Sequence, residues 1–208
     1  GPLNCVNPFR PSGLYHCMLE RIIPYSMKGF LYYQGESDEE RSLLYERLFR
    51  RLIARWREDW GESDMPFLFV QLPAYQNPNK DDDKSWCIIR EAQMRVFSTV
   101  KNTGIAVALD CGERNEIHPA DKRNIGFRLA LQALSLVYCR IDVQEAFGPI
   151  YRTYHTQGNK LELVFDFAEK GMKVSKKTEE GDDDKEYEVK TIFEIAGAVS
   201  YTHLTLPT

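Results

Sequence analysis

The sequence predicts an α/β fold, a parallel sheet with helices on both faces, and three observations carry the prediction. Three short runs, at Phe30 to Tyr33, Phe67 to Leu72 and Ile105 to Leu109, are apolar without polar alternation. Strands covered on both faces read that way. A stretch of helical periodicity follows each run, so strand and helix alternate three times. Each strand also ends on polar residues: Gln34-Gly35-Glu36, then Gln71, then Asp110. In open α/β sheets ligands bind at that carboxyl edge.

Taken in order, residues 1 to 11 hold three prolines and few apolar residues, and read as an extended arm. Ser12 is placed to cap a short helix with Leu14, Tyr15, Met18, Leu19, Ile22 and Ile23 at helical spacing, which Pro24 ends. The first strand follows. Ser37 then reads as an N-cap, with Glu40 three residues on to close a capping box. The helix it opens runs from Asp38 to about Trp60. Its expected buried stripe is Leu44, Leu48 and Leu52, joined by Tyr45, Phe49, Ile53 and Trp56, and Gly61 is its C′ residue. The second strand ends in Gln71, and residues 77 to 84 (N-P-N-K-D-D-D-K) make a solvated loop. A helix from about Trp86 to Val100 contains R-E-A-Q at Arg90 to Gln93. The third strand, Gly104 to Asp110, leads through a loop to His118-Pro119, where Pro119 opens a helix through Leu129, Leu131, Leu134 and Val137.

Past Gly148-Pro149 the texture changes. Residues 151 to 156 and 160 to 167 alternate around Gly158-Asn159, a hairpin signal. The charged run from Lys173 to Lys190 reads as an exposed loop, and Thr191 to Ile195 as a last strand. The tail V-S-Y-T-H-L-T-L-P-T fits nothing before it and reads as non-native. The expected organisation is an α/β domain over 1–148, a β-rich segment over 149–198 and the tail over 199–208.

Composition narrows the function. With 208 residues there is room for one good core, or a core plus a small appendage. Apolar residues at 43% and charged ones at 28% are ordinary globular values. A net charge of −4 without a basic cluster argues against nucleic acid. No apolar run is long enough for a membrane helix. The five cysteines have no C-x-x-C pair and the four histidines no H-E-x-x-H pattern, so no metal site is expected. The cysteines read as buried thiols. The Gly1-Pro2-Leu3 start reads as a cloning scar or the beginning of a fragment.

On residue type His118 is the strongest catalytic candidate. It lies in a βα loop with Glu116 two residues earlier, and a histidine oriented by a carboxylate is the general base of nucleophilic hydrolysis. A solvent-exposed loop histidine has the same spacing. Gln34 and Gly35 offer amide N–H donors to a developing oxyanion. Glu36, expected buried beside them, reads equally as an orienting group or as an acid of the capping region. Gln71, Arg90 and Gln93 rank second. His16 and His155 read as structural.

The string P-S-G-L-Y-H-C-M-L-E-R-I-I-P-Y-S-M-K-G-F-L-Y-Y-Q-G-E-S resembles the core of the sialate O-acetylesterase family, of the SGNH-hydrolase superfamily. P-F-L-F-V-Q-L, W-x-x-x-R-E-A-Q and E-I-H-P followed by G-x-R-L-A agree in order and spacing. The likeness spans about residues 8 to 197. It implies a three-layer, flavodoxin-like SGNH fold, here incomplete, with a small β appendage.

The resemblance implies that His118 is the catalytic base and that Gln34 and Gly35 fill the block whose amide joins the oxyanion hole. The family has Asp where this chain has Glu116, and Asp110 is the fallback acid. The family's nucleophilic serine lies in a G-Q-S-N-type block ahead of the Q-G-E segment; neither that block nor the second-block glycine occurs here. Ser12 and Ser37 sit at helix caps and are not substitutes. The implied reaction is cofactor-free serine hydrolysis of an acetyl ester on a sugar, foremost sialic acid, in a periplasmic, secreted or lysosomal setting, with this fragment inactive alone. Two rivals stand beside it. One is an acetylxylan-type esterase acting on another glycan. The other is a non-catalytic carbohydrate-binding remnant with Tyr32, Tyr33 and Trp86 along a sugar groove, although these aromatics also read as core.

Overall fold

The protein is represented by a computed structural model that describes residues 10–76, 79, 84–113 and 115–171, and the strand backbone at 193–196 and 201–204. Strands β1 (Phe30–Tyr32), β2 (Phe67–Gln71) and β3 (Thr103–Val107) form a parallel sheet in that spatial order. Phe30 pairs with Phe67, and Phe67 with Thr103. All five residues of the central strand are buried, which is why its sequence shows no alternation.

Helices α2 (Ser42–Asp59) and α3 (Ser85–Thr99) belong to one core cluster with Phe67 and Phe69, and α4 (Lys122–Gln132) contributes Ile125 to a second cluster with Val70 and Ala108. The layers predicted from the alternation of strand and helix are therefore present. Around Phe67 the rings of Phe30, Tyr32, Phe49 and Trp56 lie with centroids 5.3 to 5.9 Å away, the spacing of tilted and edge-to-face aromatic packing.

Several local expectations need correcting. In the stripe expected on α2, Tyr45, Phe49 and Ile53 are buried and Leu52 and Trp56 pack against the core, but Leu44 and Leu48 remain 42% and 47% exposed, and Ser42 and Arg57 are buried instead. The helix offers two adjoining apolar faces, that of Leu44 and Leu48 and that of Tyr45, Phe49 and Ile53, about 100° apart, one residue. Arg57 decides between them: its guanidinium donates to the carbonyls of Met65, Lys101 and Asn102 at the amino ends of β2 and β3. The Ser37–Glu40 capping box does not form. Gly35 turns the chain directly into a 3-10 helix, Glu36–Arg41, so Ser37 lies inside the turn instead of ahead of it. Pro119 does not open α4 either. Asp121 is its N-cap, accepting from the Asn124 N–H at 3.1 Å. Among the described cysteines only Cys111 is buried; Cys17, Cys87 and Cys139 are exposed free thiols.

The amino-terminal helical stretch is a π-helical turn, Tyr15–Leu19, running into α1 (Glu20–Ile22). Another π-helical turn, Ala133–Val137, extends α4, and the short α5 (Val143–Ala146) follows. The hairpin forms as predicted, from β4 (Ile150–Gln157) and β5 (Lys160–Asp166). Its first residue, Ile150, belongs to the main core, and Phe147 stacks on Phe167 at 4.8 Å.

Contacts divide the chain into two units, 1–170 and 171–208. In the second, β6 (Phe193–Ala196) pairs antiparallel with β7 (Tyr201–Leu204), which falls within the segment read as a tail. The charged run from Lys173 to Lys190 lies outside the described residues. Among the described residues no helix is long and apolar enough to cross a membrane.

Candidate active site

Because the three strands are parallel, the residues that leave β1, β2 and β3 gather at one edge of the sheet. At the exit of β1 the Gln34 side chain is fixed at both ends. Its Oε1 accepts from the Tyr32 hydroxyl at 3.1 Å, and its Nε2 donates to Asp38 Oδ2 at 2.6 Å. Burial, then the carboxylates of Asp38 and Glu36, push the Tyr32 phenol up to about 12, so it stays a donor. Gly35 is buried with φ +150, and a Cβ there would meet the Leu72 side chain at 3.1 Å. Glu36 is half-buried and opens the 3-10 turn.

Gln71, the last residue of β2, is buried and donates through Nε2 to the Arg90 carbonyl on α3 at 3.1 Å. That bond ties strand to helix and uses the amide structurally. Beyond it, the backbone of Ala74 meets that of Gly112 in the loop after β3. A Cβ on Gly112 would lie 2.6 Å from the Ala74 nitrogen, so only glycine allows this approach. Gly112→Ala is expected to cost about 1–3 kcal/mol, the usual range for overpacking. A urea titration beside wild type measures it; an unchanged midpoint would mean that the two loops do not meet.

At the exit of β3, Asp110 lies in a 3-10 turn (Leu109–Cys111) rather than in the strand. Its carboxylate is held by Arg128 of α4 in a two-point pair at 2.6 Å for each oxygen. The hydrogen bonds from Arg128 hold the Asp110 carboxyl below the usual carboxylate range. Arg128 also donates to the Val107 carbonyl, which anchors α4 to the end of β3. Burial and the neighbouring Asp110 push the Cys111 thiol up to about 11, so it remains an inert thiol.

His118 follows in the loop between β3 and α4, with its side chain 84% exposed. Glu116 Oε1 lies 3.4 Å from its Nδ1 and accepts the His118 backbone N–H at 2.8 Å. The backbones of Glu113 and Glu116 form an isolated bridge that folds this loop on itself. Glu116, and not Asp110, is thus the acid beside the imidazole. Among the described residues there is no cluster of acids, histidines and cysteines that could hold a metal.

The aromatics considered for a sugar groove are packed inward. Tyr32 stacks on Phe49 at 5.2 Å, and Trp86 is buried with its indole N–H on the Pro73 carbonyl at 2.7 Å. Tyr33 packs against the Val70 and Ile125 cluster beneath the Lys122 ammonium. Sequence reasoning read Tyr45 only as core, gave Arg128 no role and ranked Gln93 low. A glutamine inside the buried stripe of a helix was the available signal for Gln93.

The family model for carbohydrate esterase, sialic acid-specific acetylesterase, matches residues 7–135. Mouse sialate O-acetylesterase is 35% identical over 148 residues, covering 63% of this chain and 27% of that protein. The human sialate O-acetylesterase is 34% identical over the same length, with 63% and 28% covered. The chain thus spans about a quarter of the length of these curated relatives. Among solved structures, a carbohydrate acetylesterase from Xanthomonas citri superposes with a TM-score of 0.64 at 33% identity, covering 70% of this chain and 34% of that one.

Proposed function

The chain belongs to the sialic acid-specific acetylesterase family of carbohydrate esterases, and from that premise we propose that it carries the base and oxyanion half of a serine esterase that removes O-acetyl groups from sialic acid. The observation that carries the reading is the histidine–carboxylate pair, His118 Nδ1 with Glu116 at 3.4 Å, on a loop at the strand edge where the Gln34–Gly35 turn emerges.

In this reading the Glu116 carboxylate holds the proton on Nδ1, as the acceptor facing Nδ1–H, and so leaves Nε2 unprotonated to work as the base. Nε2 accepts the proton of the serine hydroxyl as its oxygen bonds to the acetyl carbonyl carbon. The carbonyl electron pair moves onto oxygen, where the Gly35 N–H stabilises it. As the tetrahedral centre collapses, the ester bond to the sugar breaks and the imidazolium returns the proton to the sugar oxygen. Water repeats the cycle on the acetyl-serine and releases acetate. The serine comes from a part of the polypeptide outside these 208 residues, since no G-Q-S-N-type block is among them.

The test compares the 208-residue chain with its His118→Ala variant on p-nitrophenyl acetate. The expected result is equal, background-level hydrolysis by both, because the imidazole has no hydroxyl to activate. Turnover by the unmodified chain that disappears in His118→Ala would place the nucleophile within these residues and refute the split.

A further inference from the structure

Gln93 is fully buried in α3, and its amide is surrounded by backbone that belongs to two other elements. Its Oε1 accepts the Leu72 N–H at 2.9 Å, which fixes the orientation of the amide because a backbone N–H can only donate. Its Nε2 therefore faces three oxygens: the Val70 carbonyl at 3.3 Å, the Tyr45 hydroxyl at 3.3 Å and the Gln34 carbonyl at 3.4 Å. Tyr45, also buried, donates its hydroxyl to the same Gln34 carbonyl at 3.0 Å. Burial raises the Tyr45 phenol further above its ordinary range, so it remains a donor.

The Gln34 carbonyl is one end of the Gln34–Gly35 peptide, and the other end is the Gly35 N–H. A trans peptide is planar with its C=O and N–H opposed. Holding the carbonyl on Gln93 and Tyr45 therefore directs the Gly35 N–H away from these two side chains. Among the described residues the Gly35 N–H has no acceptor of its own.

We infer that Gln93, together with Tyr45, is a positioning residue for the oxyanion donor: it clamps the Gln34 carbonyl and so fixes the direction of the Gly35 N–H. This rests on the esterase reading for its purpose, but the clamp itself is a property of the folded chain. A buried glutamine that meets four groups, three at the ends of two strands and one on a helix, gives rigidity where a donor must not reorganise during reaction.

The experiment uses the 208-residue chain and measures backbone ¹⁵N relaxation, with Gly35 as reporter and Gly104, within β3, as control. Two variants are compared with wild type. Tyr45→Phe keeps the ring packing and removes one donor. Gln93→Glu is isosteric; its neutral acid still supplies one donor and one acceptor, while its carboxylate repels the Gln34 carbonyl.

In Tyr45→Phe the Gly35 order parameter is expected to fall from about 0.85 to below about 0.6, with Gly104 unchanged. In Gln93→Glu, Gly35 is expected to be as rigid as wild type at acid pH and to loosen once the carboxylate ionises, whereas the wild type shows no such dependence. Movement of either signal supports the assignment, since a purely structural role would lower the melting temperature without loosening Gly35 in the folded population. It is overturned if Gly35 keeps its wild-type order in Tyr45→Phe and shows no pH dependence in Gln93→Glu. Neither readout needs turnover, so loss of the esterase reading and loss of the clamp would be seen separately.

Discussion

His118→Ala is expected to abolish esterase activity once the chain is joined to a nucleophile block, with kcat falling about 10⁴-fold or more, as for removal of a triad base. The vehicle is a chimaera in which the matched stretch replaces its counterpart in mouse sialate O-acetylesterase. In the same background Glu116→Gln is expected to lower kcat by about 10²-fold or more, and Asp110→Asn by less than about tenfold. The difference follows from where the carboxylates are spent. Glu116 lies against the imidazole, whereas both oxygens of Asp110 are engaged by Arg128. Glu116→Gln still accepts the His118 backbone N–H and so preserves the loop while removing the charge that stabilises an imidazolium. Each variant is read at matched urea stability, because losing the Asp110–Arg128 pair also loosens the end of β3. Near-normal kcat in Glu116→Gln with collapse in Asp110→Asn would move the acid to Asp110.

The order of strands and helices was legible because burial on both faces leaves an unmistakable apolar run, and β2 is buried at every position. The exposure of Leu44 and Leu48 on α2 was not. Leu44 and Leu48 look as apolar as Tyr45 and Phe49, and the choice depends on where Arg57 finds carbonyls, on β2 and β3 segments far away in sequence. Likewise Ser37 has the composition of a cap, but Gly35 starts the helical turn two residues too early for it to serve as one.

At the candidate site, the placement of Gln34, Gly35, Glu116 and His118 at the carboxyl edge of the sheet was legible by residue type and spacing, because each lies within a short loop at a strand end. Gln93 and Arg128 were not, for one physical reason. Both work by reaching carbonyls on distant strands, Gln93 those of Gln34 and Val70, Arg128 that of Val107. A helical Gln or Arg is ordinarily a surface residue, and only tertiary packing shows that these are not.

Phe67→Ala is expected to lower the stability of the chain by about 3–5 kcal/mol, the range for truncating a buried aromatic. Phe67 has no exposed surface and is the ring on which the first layer converges. Phe30 and Tyr32 reach it from the neighbouring strand, Phe49 and Trp56 from α2. Removing it takes away the transfer energy of the ring and leaves a void that these four rigid rings fill poorly. Rings cannot collapse into a gap as a flexible methionine would. Leu48→Ala, on the same helix as Phe49 but 47% exposed, is expected to cost less than about 1 kcal/mol. Thermal unfolding gives the comparison: at about 2–4 °C per kcal/mol for a chain of this size, Phe67→Ala should melt roughly 10 °C lower, and Leu48→Ala within a few degrees of wild type. The contrast tests the rotation of α2 as well as the core. If Leu48→Ala were the costlier of the two, the helix would present Leu44, Leu48 and Leu52 to the sheet. The turn between Gly35 and Ser42 would then have to differ by one residue from the geometry that positions Tyr45 on the Gln34 carbonyl.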